Sequence, residues 1–356
     1  MKPATAVLAA VVTAGGGALA LEKRITGGSS ISESAAAGPY SFVTNIIVNG
    51  RDGAAACTGA LLAPTVVLTS ASCVADPVSN KALVASRIVV GQGNLASMLN
   101  GGSGNDADLT LAAARGYIYP QSIFVHPGYS SVAHSDNIAV LTLPYALANA
   151  TDASVKVIAK PDTAENAAYA AVGWGSTTSD GISEYPSHVQ QVRLAVASNS
   201  TCSEIWAPYS NLANSLCLKP IKSSSNVCAG DGLLIKVASD KTVALAGVLN
   251  MVAAKRNVPA DRCNDSGVVD FFTTLNNYLA WLTQVTPLKE SEITSKGSFS
   301  YDSASADDLD EGSESASKHD GLDDVESSPS GAAARHSVLA ASAAAFALAV
   351  LALPIA

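Results

Sequence analysis

The chain is poor in charge and poorer in groups that exchange protons near neutral pH. Charged residues make up 14% of its 356 positions, against 48% hydrophobic ones. Of the five histidines, only His126, His134 and His188 come before residue 288. Histidine is the commonest general base, so few positions are open to that chemistry. The 21 lysines and arginines form no basic cluster, which excludes the positively charged face that nucleic acids require. No metal-ligand cluster and no cofactor motif stands out, and neither is expected. What remains is an apolar chain able to bury a sizeable core. Its six cysteines, behind an apolar leader, read as three disulfides made in an oxidising compartment.

The two ends differ from the middle. Met1–Ala20 has a lysine at position 2, an apolar run and a small-residue end, the pattern of a cleaved secretory signal. Residues 21–24 end in Lys23-Arg24 and read as a short propeptide, or as a linker that happens to be dibasic. Twelve acids and three lysines fall within residues 289–330, so this stretch holds the whole net charge of −9. Residues 287–330 are rich in Ser, Asp, Glu, Gly and Ala and read as an extended, disordered stalk. Small residues at Ser330-Gly331-Ala332 and the apolar run Val338–Ala356 make a GPI-attachment signal, with Ser330 or Gly331 as the site. The alternative is a retained C-terminal transmembrane helix, for which the run is just long enough at about 20 residues, although nothing basic follows it. The chain is thus expected outside the cell, held to the membrane by a lipid anchor or a helix. Sequons at Asn149, Asn199 and Asn264 fit that setting.

Between residues 25 and 286, apolar and small residues alternate with turn signals, as in β-hairpins. Several segments are more specific. Cys57-Thr58-Gly59-Ala60-Leu61-Leu62 leads through Val66-Val67-Leu68-Thr69-Ser70-Ala71-Ser72-Cys73. Ile123-Phe124-Val125-His126-Pro127-Gly128-Tyr129 precedes Asp136-Asn137-Ile138-Ala139-Val140-Leu141-Thr142-Leu143. Ala171-Val172-Gly173-Trp174-Gly175 follows, then Cys228-Ala229-Gly230-Asp231-Gly232-Leu233-Leu234. In order and spacing these resemble the trypsin/chymotrypsin-like serine proteases. The resemblance implies an all-β domain over residues 25–286, made of two six-stranded antiparallel β-barrels with a C-terminal helix. Apolar residues at 275, 278, 279 and 282 have the helical spacing expected there. It also implies three disulfides: Cys57–Cys73, Cys202–Cys217 and Cys228–Cys263.

The resemblance breaks where the chemistry should be. The position of the general base holds Ser72. That of the orienting carboxylate holds Asn137. After Asp231 there is no hydroxyl: either Gly232 replaces the nucleophile, or a Ser-Gly pair is deleted and Gly232 runs on into the next strand. Ile25-Thr26-Gly27-Gly28 resembles the family's activated N-terminus, whose partner would be Asp231. The specificity pocket is implied at Asn226, Asn250-Met251-Val252 and Gly267, and a side chain in place of glycine at 252 should narrow it. His126 matches a structural histidine. Asp136, one residue from Asn137 in a strand, would face the other side. His134 is the one residue readable as a displaced base.

These departures imply an inactive, protein-binding member of the family. Among such proteins it is similar to the glucanase inhibitor proteins of oomycete plant pathogens, which makes a host endo-β-1,3-glucanase the candidate partner and virulence the candidate role. Two other readings stand beside it: an active secreted endopeptidase with an unusual site, and a surface adhesin or scaffold.

Overall fold

The computed structural model describes residues 25–26, 29–32, 36–51, 53–99, 106–148, 154–174, 186–209, 214–221, 226–227, 232–238, 242–255 and 267–295. The expected signal, propeptide, anchor site, Asp231, the Cys228–Cys263 pair, Asn149, Asn264 and the stalk beyond Ser295 lie outside them.

Two short strands, β1 (Ile25–Thr26) and β2 (Ser29–Ser30), come first among the described residues. The first half is then built from β3 (Val43–Gly50), β4 (Gly53–Ala63), β5 (Val66–Thr69), β6 (Ile88–Gly91), β7 (Ser122–Val125) and β8 (Ala139–Thr142). They form one curled antiparallel sheet in the order β6-β3-β4-β5-β8-β7. The second half contains β9 (Lys156–Ile158), β10 (Ala168–Gly173), β11 (Gln190–Val196), β12 (Ser215–Pro220), β13 (Asn226–Val227), β14 (Leu233–Val237), β15 (Val243–Ala254), β16 (Val268–Thr274) and β17 (Thr294–Ser295). Six of these close a ring: β14-β10-β11-β12-β16-β15 and back to β14. The fold is the expected double barrel, with the second barrel closed by hydrogen bonds and the first a curled half-barrel.

Period-two alternation explains how the halves join. In β14, Leu234 points into the second barrel with Tyr169, Leu194, Leu218 and Phe272. Its neighbours Leu233, Ile235 and Val237 face the other way, into a core shared with Ile46, Leu61, Leu68 and Val140 of the first half. Both faces of the strand are therefore buried, and its sequence is almost continuously apolar. The exception is Lys236, 4% exposed. It is tolerated because its ammonium reaches Asp162 at 3.3 Å and lies over the Tyr169 ring. A buried cation needs such a partner.

Two of the three implied disulfides are formed. Cys57 joins Cys73, and Cys202 joins Cys217. They tie β4 to the turn after β5, and the helix Asn199–Ile205 to β12.

The packed domain does not stop at residue 286. Beyond the helix Leu279–Val285 the chain makes one helical turn, Glu290–Ile293, and then β17, which pairs in parallel with β9. The Glu292 carboxylate accepts the Lys289 N–H at 2.7 Å, and Lys156 Nζ donates to the Glu292 carbonyl. Ile293 is fully buried in the shared core. The start of the expected stalk is thus part of the domain through Ser295. One buried isoleucine and a strand edge hold it there, against its polar composition.

Candidate functional site

Strand β5 ends at Thr69, whose hydroxyl donates to the Thr58 carbonyl at 2.9 Å. The chain then enters the short helix Ala71–Val74, closed by the Cys57–Cys73 bridge. This turn holds Ser72 at the surface. Asn137 precedes β8 and is 2% exposed. The two residues meet across 65 positions of sequence. The Ser72 N–H donates to Asn137 Oδ1 at 2.7 Å, and Asn137 Nδ2 donates to Ser72 Oγ at 3.1 Å. Asn137 Nδ2 also lies 3.4 Å from the Leu249 carbonyl and 3.3 Å from that of Asn250, both on β15.

Leu249 links this pair to Gly232. Its N–H donates to the Gly232 carbonyl at 2.8 Å. Gly232 is buried and sits directly before β14, in ladder register with β15. It leads directly into β14. Gly232, Leu249, Asn137 and Ser72 form one hydrogen-bonded line across both halves.

The strand is irregular at the point of contact. Its register with β16 shifts between Leu249 and Met251, which leaves Asn250 as the bulged residue. A bulge re-aims a side chain, and Asn250 Nδ2 reaches the His134 carbonyl at 2.8 Å. Met251 packs on the side of the Cys202–Cys217 bridge, while Val252 packs against the core of the second barrel. Gly267 is buried, and its carbonyl accepts the Lys255 N–H at 3.0 Å. The backbone of Thr26 pairs with Asn226, and that of Ile25 with Val227. Residue 25 thus lies beside Val227, four positions before Asp231 in the sequence. Asn199 is exposed at the start of its helix, which is capped by Ser198 Oγ accepting the Thr201 N–H at 3.2 Å.

Asp136 departs from the strand geometry expected of it. Its φ is +47°, a left-handed conformation before the strand starts. Asp136 Oδ1 accepts the Tyr278 hydroxyl at 2.6 Å and Asn214 Nδ2 at 3.2 Å. Its Oδ2 is 4.0 Å from His126 Nδ1. Gly128 packs so tightly here that a β-carbon would come within 2.4 Å of Asp136 Oδ2. His126 is a packing residue: its ring meets Tyr278 and Trp281 edge-on at 5.1 and 5.0 Å. Burial lowers its pKa, partly opposed by Asp136. Its Nδ1 accepts the Gly128 N–H at 3.2 Å, which a neutral ring can do and a protonated one cannot. Burial, then the bond to Asp136, raises the Tyr278 pKa. This cluster joins both halves to the C-terminal helix, and residue spacing gave no sign of Tyr278 or Asn214 as its members.

A family model described as Trypsin matches residues 25–282. The chain belongs to the trypsin family. Trypsin alpha of Drosophila melanogaster is 27% identical over 248 residues, covering 65% of this chain and 86% of that protein. A trypsin of Saccharopolyspora erythraea is 27% identical over 206 residues, covering 54% and 74%. Trypsin delta of Drosophila melanogaster is 27% identical over 228 residues, covering 62% and 79%. Ser72 and Asn137, the residues expected at the base and carboxylate positions, are the pair that the structure brings into contact. Among the described residues no helix is long and apolar enough to cross a membrane, and no group of three or more His, Cys, Asp or Glu could hold a metal ion.

Proposed function

We propose that this protein is a non-catalytic member of the trypsin family that acts by binding another protein. The contact between Ser72 and Asn137 carries the reading. A hydroxyl does not take up a proton near neutral pH, so Ser72 cannot act as general base. A neutral amide does not stabilise a cation as the orienting carboxylate would. The Asn137 amide is instead engaged at both ends by Ser72 and β15. The burial of Gly232 supports the same reading, since no hydroxyl stands between Asp231 and Leu233. Triad removal in enzymes of this type leaves only ~10³–10⁴-fold acceleration over water, from the oxyanion hole and binding. The retained disulfides and the β1–β13 pairing support a fold that is still in use.

The partner in this reading is a host endo-β-1,3-glucanase, inhibited by a chain exported from the producing cell and anchored at its surface through Ser330 or Gly331. Two assays on the full-length secreted protein test it. A fluorophosphonate probe should leave it unlabelled, and peptide substrates should turn over no faster than background. Labelling would instead mark an active endopeptidase. A purified plant endo-β-1,3-glucanase should be bound and slowed. If it is neither, the partner assignment fails and a surface scaffold is the better reading.

A further inference from the structure

The two described disulfides differ in their surroundings. Cys202 and Cys217 are fully buried, in a cluster with Tyr209 and Phe271. Cys57 and Cys73 are half-buried against the shared core. Cys73 also lines a cavity of about 540 Å³, together with Ser72, Arg51, Asp76 and Arg87. That volume lies within the ~300–1,000 Å³ usual for small-molecule sites. A disulfide is opened by a thiolate that reaches one of its sulfurs. An accessible bridge is therefore the labile one, and an enclosed bridge is protected.

The charges around the cavity narrow the class of thiol. Asp76 is the one carboxylate among its described lining residues, and it is committed. Its Oδ2 lies 3.3 Å from Arg51 Nη2. Its Oδ1 accepts the N–H groups of Val78 and Ser79 at 3.1 and 2.8 Å. Arg87 is half-buried and, among the described residues, belongs to no ion pair. Its Nη2 donates to the Gly50 carbonyl at 2.7 Å, which uses one of the five N–H donors of a guanidinium. The same cavity thus holds a disulfide residue and a cation with donors to spare. Such a cation draws in an anionic thiol and favours the thiolate form of a nearby sulfur. A cationic thiol gains neither advantage.

We propose that Cys57–Cys73 is an exchangeable disulfide, and that the cavity takes a small thiol bearing carboxylates as a mixed disulfide on Cys73. The incoming thiolate attacks Cys73 Sγ, the sulfur of the residue that lines the cavity. A new S–S bond forms there and the Cys57–Cys73 bond breaks. Its electron pair leaves on Cys57 as a thiolate, which water protonates. Exchange unlinks the turn of Ser72 from β4, while buried Ala71 and Val74 keep that turn packed. It stands whether or not this face captures a protein. The test treats the full-length protein with glutathione in the absence of denaturant, traps free thiols by alkylation and maps both bridges by mass spectrometry. Cys57–Cys73 should open while Cys202–Cys217 stays closed, with glutathione on Cys73 and the alkyl label on Cys57. Glutathione should react roughly tenfold faster than cysteamine, each rate taken relative to the same thiol on a small neutral disulfide. Arg87→Gln should remove that preference. So should ~1 M salt, which shortens the screening length to about 3 Å and keeps the test open if the variant fails to fold. Equal opening of the two bridges in protein with native near-ultraviolet dichroism would overturn the inference. Equal relative rates for the two thiols would do the same. Saturable binding of S-methylglutathione, with Cys57–Cys73 intact under glutathione, would reassign the cavity to anions that do not exchange.

Discussion

Asn137 holds its amide nitrogen within 3.4 Å of three acceptors: the Ser72 hydroxyl and the carbonyls of Leu249 and Asn250. Asn137→Asp would put an oxygen there. Ionised, it would face two carbonyls, and only Ser72 could turn its hydroxyl to donate. The loss should be about 1–3 kcal/mol. Such a carboxyl would have a folded-state pKa raised above its unfolded value, because desolvation and the facing carbonyls disfavour the anion. The substituted protein should then be most stable at low pH and lose stability as pH rises through the folded value. Urea unfolding at pH 5 and pH 8 measures this, and equal losses at both would contradict it. His126 has the opposite sign. Its folded pKa is depressed, burial being the main cause, so its contribution is fully present above the unfolded value of ~6.5. That contribution is lost as pH falls from there through the folded value. His126→Gln should flatten this part of the stability curve between pH 8 and 5, and an unchanged slope would assign the dependence to other groups.

At the scale of elements, the strand β17 and the turn before it are the least expected part of the fold. Ile293 is fully buried, yet its neighbours are acidic and polar. Composition averages over a window, and one apolar residue does not change the average. Ile293→Ala should therefore release residues 290–295 before it unfolds the barrels. Amide exchange should quicken in β9 and β17 while β10 and β14 keep their protection, as expected for a local opening. Uniform quickening would mean that this segment is part of the cooperative core. Other elements were legible for the opposite reason. The hairpin from Cys57 to Cys73 combines a disulfide, turn residues and an apolar pattern in 17 consecutive positions, and each agrees with the others. The meeting of Ser72 and Asn137 followed from the same motifs. The role of Asp136 did not, because a left-handed φ and partners at positions 214 and 278 leave no local trace. The bulge at Asn250 is hidden for the same reason.

For the molecule as a whole, the shared core makes the two halves one packed unit, and the disulfides add to this by limiting the unfolded chain. Cys202 and Cys217 are separated by 15 residues. A loop of that length is worth about 3 kcal/mol in the chain-entropy account. Replacing both by serine should lower the midpoint of thermal unfolding by roughly 6–12 °C for a domain of this size. A shift under about 2 °C would show that the bridge adds little beyond the packing of Phe271 and Tyr209 around it. The segment that ends in β17 has a mechanical consequence. Any pull on the chain beyond Ser295 is delivered first to two residue pairs with β9 and to one buried isoleucine. These would yield before the six-stranded ring carries load. The strap is then a fuse in series with the barrel, and what it releases is a few residues of slack while the ring stays whole.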